Sequence, residues 1–195
     1  IADYVESASP QIDCVLVAGD VYDRAVPPTE AVALLDGFIT RLAGQLGVHV
    51  VMIPGNHDSA DRMGFASGLT KATLHLASRI EPSPIPIVLE DEHGPIEIFA
   101  LPFLDPALVR SVTGAQDVRD QQAAMAEMVG RCRAVQTAPR AILMAHAFVR
   151  DCATSESERT LYVGGSGQVD ANLFEGFSYV ALGHLHTAQS VDRDG

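Results

Sequence analysis

Ile12-Asp13-Cys14-Val15-Leu16-Val17-Ala18-Gly19-Asp20 is a short apolar run that stops on a glycine and a carboxylate. A run of this length, rich in Val and bounded by a turn residue, reads as a buried strand. The pattern returns three times. Val48 to Pro54 is a second run, followed by Gly55-Asn56-His57-Asp58. Ala141 to Ala145 is a third, ending at His146. Tyr179 to Leu182 is a fourth, followed by Gly183-His184-Leu185-His186. Each polar motif sits just after a strand. Loops at the carboxyl ends of neighbouring strands converge on one edge of a sheet, where α/β proteins usually place their sites.

Helical patterns lie between these runs. Ala31, Val32, Leu34, Leu35, Phe38, Ile39, Leu42 and Leu46 recur at helical spacing, and Pro27-Pro28 precede a Thr29 cap, so a helix is predicted over Thr29 to Leu46. A second is predicted over Arg119 to Gln136. Ile85 to Leu89 and Ile96 to Leu101 read as a pair of strands around His93-Gly94. Strands alternating with helices predict a layered α/β fold, here one catalytic domain over residues 1–195. Both ends read as cut. Tyr4, Val5 and Ala8 share one face of what reads as a helix end, and Asp194-Gly195 is a hairpin-turn signal with no returning strand.

The chain has 195 residues and 47% hydrophobic content, which suits one domain with a sizeable core. No apolar run reaches the roughly 18 residues that would span a bilayer. Ile1-Ala2-Asp3-Tyr4-Val5-Glu6 has neither the basic start nor the apolar stretch of a secretory signal. Three cysteines are too few for a disulfide framework, so a soluble protein of the reducing cytoplasm is expected. Cys14 and Cys132 fall in apolar patterns and are expected to pack in the core. The net charge of −12 repels nucleic acid unless bound divalent ions or a basic partner reverse the field locally.

The strand-end motifs supply Asp20, Asn56, His57, His146, His184 and His186. Imidazole with carboxylate suits borderline divalent ions such as Mn, Fe or Zn. Two such ions ~3.5–4 Å apart can clamp a phosphate and lower the pKa of a bridging water. Each motif alone has a plainer explanation. Gly-Asp after a strand is common turn chemistry, and a single histidine at a strand end is usually structural. Four in succession point to a metal site. His49, His75 and His93 have no such company and read as surface or boundary residues. Gly164-Gly165-Ser166-Gly167 lacks the lysine and helix of a nucleotide-binding loop and reads as a plain loop. Glu156-Ser157-Glu158-Arg159 reads as a solvated loop face.

The order Gly-Asp, Gly-Asn-His-Asp, His, Gly-His-x-His resembles the calcineurin-like metallophosphoesterase superfamily. Three longer stretches resemble its SbcD-type nuclease subunits. They are Val17 to Asp23 followed by Pro27-Pro28; Leu101-Pro102-Phe103-Leu104-Asp105-Pro106; and Tyr162 to Gly165 running through Gln168-Val169 to His186. The resemblance spans nearly the whole chain. It implies central mixed β-sheets flanked by helices, with the family's first strand and C-terminal cap missing here. It implies two divalent ions, manganese by family precedent, with Asp20 bridging both. Asn56, His146 and His184 would bind one ion and His186 the other. His57 would contact the scissile phosphate and protonate the leaving 3′ oxygen. Asp23 would be the carboxylate that orients His57, with Asp58 its rival; either way, a nearby carboxylate favours the acid form of the ring.

The implied reaction is phosphodiester hydrolysis: 3′-to-5′ exonuclease on duplex DNA, and endonuclease on single strands and hairpins. The implied partners are DNA and an SbcC-type ATPase, in a heterotetramer holding two copies of this subunit, serving DNA recombination, replication and repair. One departure stands out. The family's Asp-x-His on its first strand, which supplies two ligands to the His186 ion, is absent upstream of Asp20. The 195-residue piece alone is therefore expected to hold one ion firmly, the other weakly, and to show little nuclease activity. Two rivals are another phosphoesterase of the superfamily, a phosphatase or nucleotidase in which Arg24 clamps a monoester, and a non-catalytic scaffold subunit. The presence of His57 counts against the scaffold.

Overall fold

Parallel pairing starts at Cys14. In a computed structural model describing residues 1–65, 67–69, 72–154 and 167–191, β1 (Cys14–Ala18) lies parallel to β2 (His49–Ile53), with Cys14 opposite His49 and Ala18 opposite Ile53. β2 in turn pairs in parallel with β3 (Leu74–Leu76), completing a three-stranded sheet in the order β1-β2-β3. The second sheet begins with a hairpin. β4 (Ile87–Asp91) and β5 (Gly94–Ala100) are antiparallel, and the His93 amide donates to Asp91 Oδ1 at 2.8 Å across the turn. β5 pairs in parallel with β6 (Arg140–His146), and β6 with β9 (Tyr179–Gly183). A two-residue ladder joins β7 (Phe148–Val149) to β8 (Gln168–Val169).

Three apolar clusters set the layers. Val51 and Ile53 of the first sheet meet Ile98 and Met144 of the second, so the sheets pack face to face. The outer face of the first sheet, Val50 and Met52, is covered by α1 (Ala2–Ser7) and the helical segment that starts with α2 (Thr29–Ile39). The outer face of the second, Phe99, Leu143 and Ala145, is covered by α4 (Pro106–Thr113) and α5 (Gln121–Val135). A short helix α3 (Ala60–Met63) follows the β2 loop. The result is α/β with mixed sheets between helices. The site edge expected on one sheet is therefore shared by two.

Helix ends follow local chemistry. In α4, the Asp105 carboxylate accepts from the Ala107 and Leu108 amides at 2.8 and 3.0 Å, Pro106 takes the first turn, and Gly114 closes the helix at φ 75°. Its eight residues are too few for a clear periodic signal. The helix predicted over residues 29–46 is α-helical only to Ile39; Thr40–Gln45 widens to π-helical turns. In this wider stretch Leu42 is fully buried, and the Ala43 carbonyl accepts from the Thr73 hydroxyl at 3.0 Å. Leu35, Phe38 and Ile39 pack inward, while Val32 and Leu34 stay exposed, because the buried stripe is narrower than the periodicity implied. Likewise Val5 is buried but Tyr4 faces solvent. Cys132 is in the core and Cys14 half-buried; both are free thiols. His49 and His75 stack on each other across β2 and β3 at a half-buried boundary. The loop readings at 156–159 and 164–166, and the Asp194-Gly195 turn, lie outside the described residues. Among the described residues, no helix is long and apolar enough to cross a membrane.

Glu97 is the one carboxylate among the buried polar side chains of the described residues, 4% exposed. Burial opposes its ionisation, but the Thr137 hydroxyl at 2.5 Å and the Thr137 and Ala138 amides outweigh it, so its carboxyl sits below the usual range. The stabilisation is complete above the unfolded value of ~4.3 and fades as pH falls through the lower folded value. Glu97→Ala is expected to cost about 1–3 kcal/mol at pH 7, because it strands those donors. In denaturant titrations its deficit should shrink as pH falls below ~4; a deficit of equal size at pH 3 and pH 7 would contradict this account.

Candidate metal centre

Four strands from both sheets end at one rim. β1 leads to Gly19-Asp20, β2 to Gly55-Asn56-His57-Asp58, β6 ends on His146, and β9 leads through Gly183 to His184. There the structure brings Asp20, Asn56, His146 and His184 together. His146 Nε2 lies 3.2 Å from Asp20 Oδ2 and 3.0 Å from Asn56 Oδ1. His184 Nδ1 lies 3.0 Å from the same Asn56 oxygen and 3.3 Å from His146 Nε2. Ligand atoms of Asp20, His146 and His184 all fall within 4.8 Å of one another, the one such His/Cys/Asp/Glu group among the described residues. His186 is exposed and lies outside that group.

The His146 ring is the hub, only 1% exposed. Its Nδ1 lies 2.9 Å from the Ala18 carbonyl, which can only accept, so Nδ1 carries the proton and the neutral ring turns its Nε2 lone pair to the cluster. Three glycines make its socket. A Cβ on Gly19 would meet His146 Cγ at 2.8 Å; on Gly55, His146 Cε1 at 2.7 Å; on Gly183, His146 Nδ1 at 2.9 Å. The residue before each of Asp20, Asn56 and His184 is thus glycine for lack of space. Backbone strain adds to the tight fit: Asp20 has φ 48° and His184 φ 98°, values that side-chain-bearing residues rarely adopt.

The cluster suits a cation. With His146 in that tautomer, a carboxylate oxygen, an amide oxygen and an imidazole lone pair crowd together, and acceptors at such distances repel unless positive charge lies between them. The Asn56 amide is turned so that its oxygen joins them while its buried Nδ2 has no partner among the described residues. That orientation costs about 1–3 kcal/mol and is offset only if the oxygen has a use. Two imidazoles, a carboxylate and an amide oxygen form a donor set for Mn, Fe or Zn. Burial opposes ionisation of Asp20, while the His57 amide, donating to it at 3.0 Å, favours the carboxylate.

The remaining candidates lie around this cluster. His57 is half-buried and gives its backbone amide to Asp20 Oδ1. Asp58 accepts the amides of Val21, Tyr22 and Gly55 at 3.0, 2.9 and 2.9 Å. It clamps the β1 loop to the β2 loop with both oxygens. Asp23 is exposed and takes Arg24 at 3.1 Å. The sequence reading missed the glycine socket, the Ala18 carbonyl and the Asp58 clamp. The socket had a signal, since a glycine immediately precedes three of the four converging residues. It also missed Phe103, which meets His146 edge-on at 6.3 Å, and Phe148, tilted against His184 at 5.8 Å.

Comparison with known proteins agrees with this geometry. The chain is 32% identical over 184 residues to a protein of Staphylococcus epidermidis named as the SbcD component of the nuclease SbcCD, and 29% identical over 184 residues to its namesake from Staphylococcus saprophyticus. Each alignment covers 93% of this chain and 48% of the relative, so the chain spans about half the length of these relatives. The calcineurin-like phosphoesterase family model matches residues 1–188, and that family implies divalent metal ions. Fold, converging donor set and sequence match together place the chain in the calcineurin-like phosphoesterase family.

Proposed function

We propose that this chain is the catalytic core of a metal-dependent DNA nuclease subunit that works with an SbcC-type ATPase in DNA recombination, replication and repair. The observation that carries the reading is the convergence of Asp20, Asn56, His146 and His184 at one rim. The nuclease assignment draws on the names of the two staphylococcal relatives. The reaction is phosphodiester hydrolysis, 3′-to-5′ on duplex ends and internal on single strands and hairpins.

Two divalent ions, manganese by preference, would be held with Asp20 bridging, Asn56, His146 and His184 on one ion, and His186 on the other. When bound they supply Lewis acidity toward the phosphate and an acidified water. The chain's own residues do the rest. The Ala18 carbonyl and the glycine socket hold His146 in one tautomer and one orientation. The His57 amide holds Asp20. The His57 ring faces the scissile phosphate and gives its proton to the leaving 3′ oxygen, while the water's oxygen ends on phosphorus. Asp23, three residues past Asp20 where related phosphatases carry the carboxylate that orients their catalytic histidine, orients His57. Asp23→Asn is expected to lower kcat at least tenfold while manganese affinity stays within about twofold; parallel losses in both would remove that role.

The test of the whole reading is substrate class. With manganese, the full-length protein should degrade DNA oligonucleotides, leave a simple phosphomonoester nearly untouched, and stop on chelation. Preference for the monoester would instead assign a phosphatase. Arg24, the residue suited to clamp a monoester, is already paired with Asp23. The charge of −12 means that DNA affinity should rise sharply when the ATPase partner is added.

A further inference from the structure

Two of the seven phenylalanines belong to no apolar cluster of the described residues yet are not stranded on the surface. Phe38, Phe99, Phe174 and Phe177 pack in the cores, and Phe65 is 84% exposed. Phe103 and Phe148 are half-buried, and each touches a histidine of the metal cluster. Strand alternation explains how Phe148 gets there. Successive side chains of β7 point to opposite faces. Val149 pairs with Val169, and both are buried in the core beneath α5. Phe148 pairs with Gln168 and therefore points away from that core, toward the rim. Phe103 and Phe148 differ in what they touch. Phe103 meets the fully enclosed His146 edge-on, at 77°. Phe148 lies at 33° to the half-buried His184, which puts a phenyl ring beside the cluster.

Phe148 keeps part of its ring accessible beside the cluster. Beside a centre that handles phosphodiesters it has a use. Every nucleobase has a π-face, and stacking on an aromatic side chain holds a strand without reading its sequence. We infer that Phe148 is a positioning residue, a platform on which the base of the nucleotide being cut stacks after leaving its duplex neighbours. The inference rests on the nuclease reading above and narrows its substrate to an unstacked nucleotide carrying a base.

The test uses the full-length, manganese-loaded protein and two oligonucleotides that differ only at the cleaved nucleotide, which either carries its base or is abasic. Phe148→Leu should raise KM for the base-bearing strand roughly 5- to 100-fold, the range expected for one lost stack, with kcat within about twofold. Phe148→Trp should restore it. The abasic strand should already suffer the same penalty with the unaltered protein, and the two losses should not add. Equilibrium binding of phosphorothioate-protected strands, read by fluorescence anisotropy, should follow the same pattern. The platform is overturned if Phe148→Leu leaves KM unchanged, or if it lowers kcat equally on both strands with weakened manganese binding, since the ring would then only brace His184. Cleavage of neither strand by the unaltered protein would overturn the nuclease reading as well, so the two failures are distinguishable.

Discussion

His146→Ala is expected to abolish tight divalent-ion binding and, with it, turnover. The ring ties the whole rim together. Its Nε2 reaches Asp20, Asn56 and His184, and its Nδ1 is tied to the Ala18 carbonyl. Three glycines from three loops are shaped around the ring. Truncation removes one donor, empties the socket, and frees Asp20 and Asn56 from the geometry that aims their oxygens together. Loss of an outer partner of a metal ligand typically costs 10–100-fold in affinity. Loss of the hub should exceed about 100-fold, read by calorimetric titration of manganese into the variant. Affinity within a few-fold of the unaltered protein would mean that this cluster is not the metal site.

Gly183→Ala should damage both stability and the site. Gly183 ends β9 in the second sheet, and a Cβ there would collide with the Ala18 carbonyl at the end of β1 in the first. Those atoms are backbone and cannot rotate away. The added methyl would push the two sheets apart at their shared rim and break the contact between His146 and Ala18. Overpacking costs typically 1–3 kcal/mol, and this collision with backbone should lie at ~3 kcal/mol or above, together with at least a tenfold loss in manganese affinity. Gly130→Ala is the control. It lies exposed in α5 with nothing among the described residues within 4 Å of its would-be Cβ, and should stabilise by up to ~1 kcal/mol. Denaturant unfolding of the two variants checks the contrast; a Gly183→Ala protein within about 0.5 kcal/mol of the original would refute the steric argument.

Much of the architecture was legible because each signal is local. The strands at residues 14–18, 49–53, 140–146 and 179–183 are apolar runs bounded by Gly or polar residues, and the 87–100 hairpin turns at His93-Gly94. Other features left no local trace. β3 is three residues long, below the length at which alternation can be read. The π-helical turn at 40–45 is associated with contacts to Thr73 and the sheet beneath, not with its own composition. The clamp made by Asp58 left no trace in the sequence either, because a carboxylate's partners cannot be read from its neighbours along the chain. Its three donors include two from a loop more than thirty residues away.

The chain alone determined which donors are available and their order after the strands, since apolar runs and turn glycines are properties of adjacent residues. Only the tertiary structure decided that Asp20 and Asn56 come from one sheet and His146 and His184 from another, meeting across a seam closed by Ala18 and Gly183. The reason is range. Strand and turn preferences are written in adjacent residues, whereas the approach of two sheets depends on packing between Val51, Ile53, Ile98 and Met144, residues as many as ninety-three positions apart.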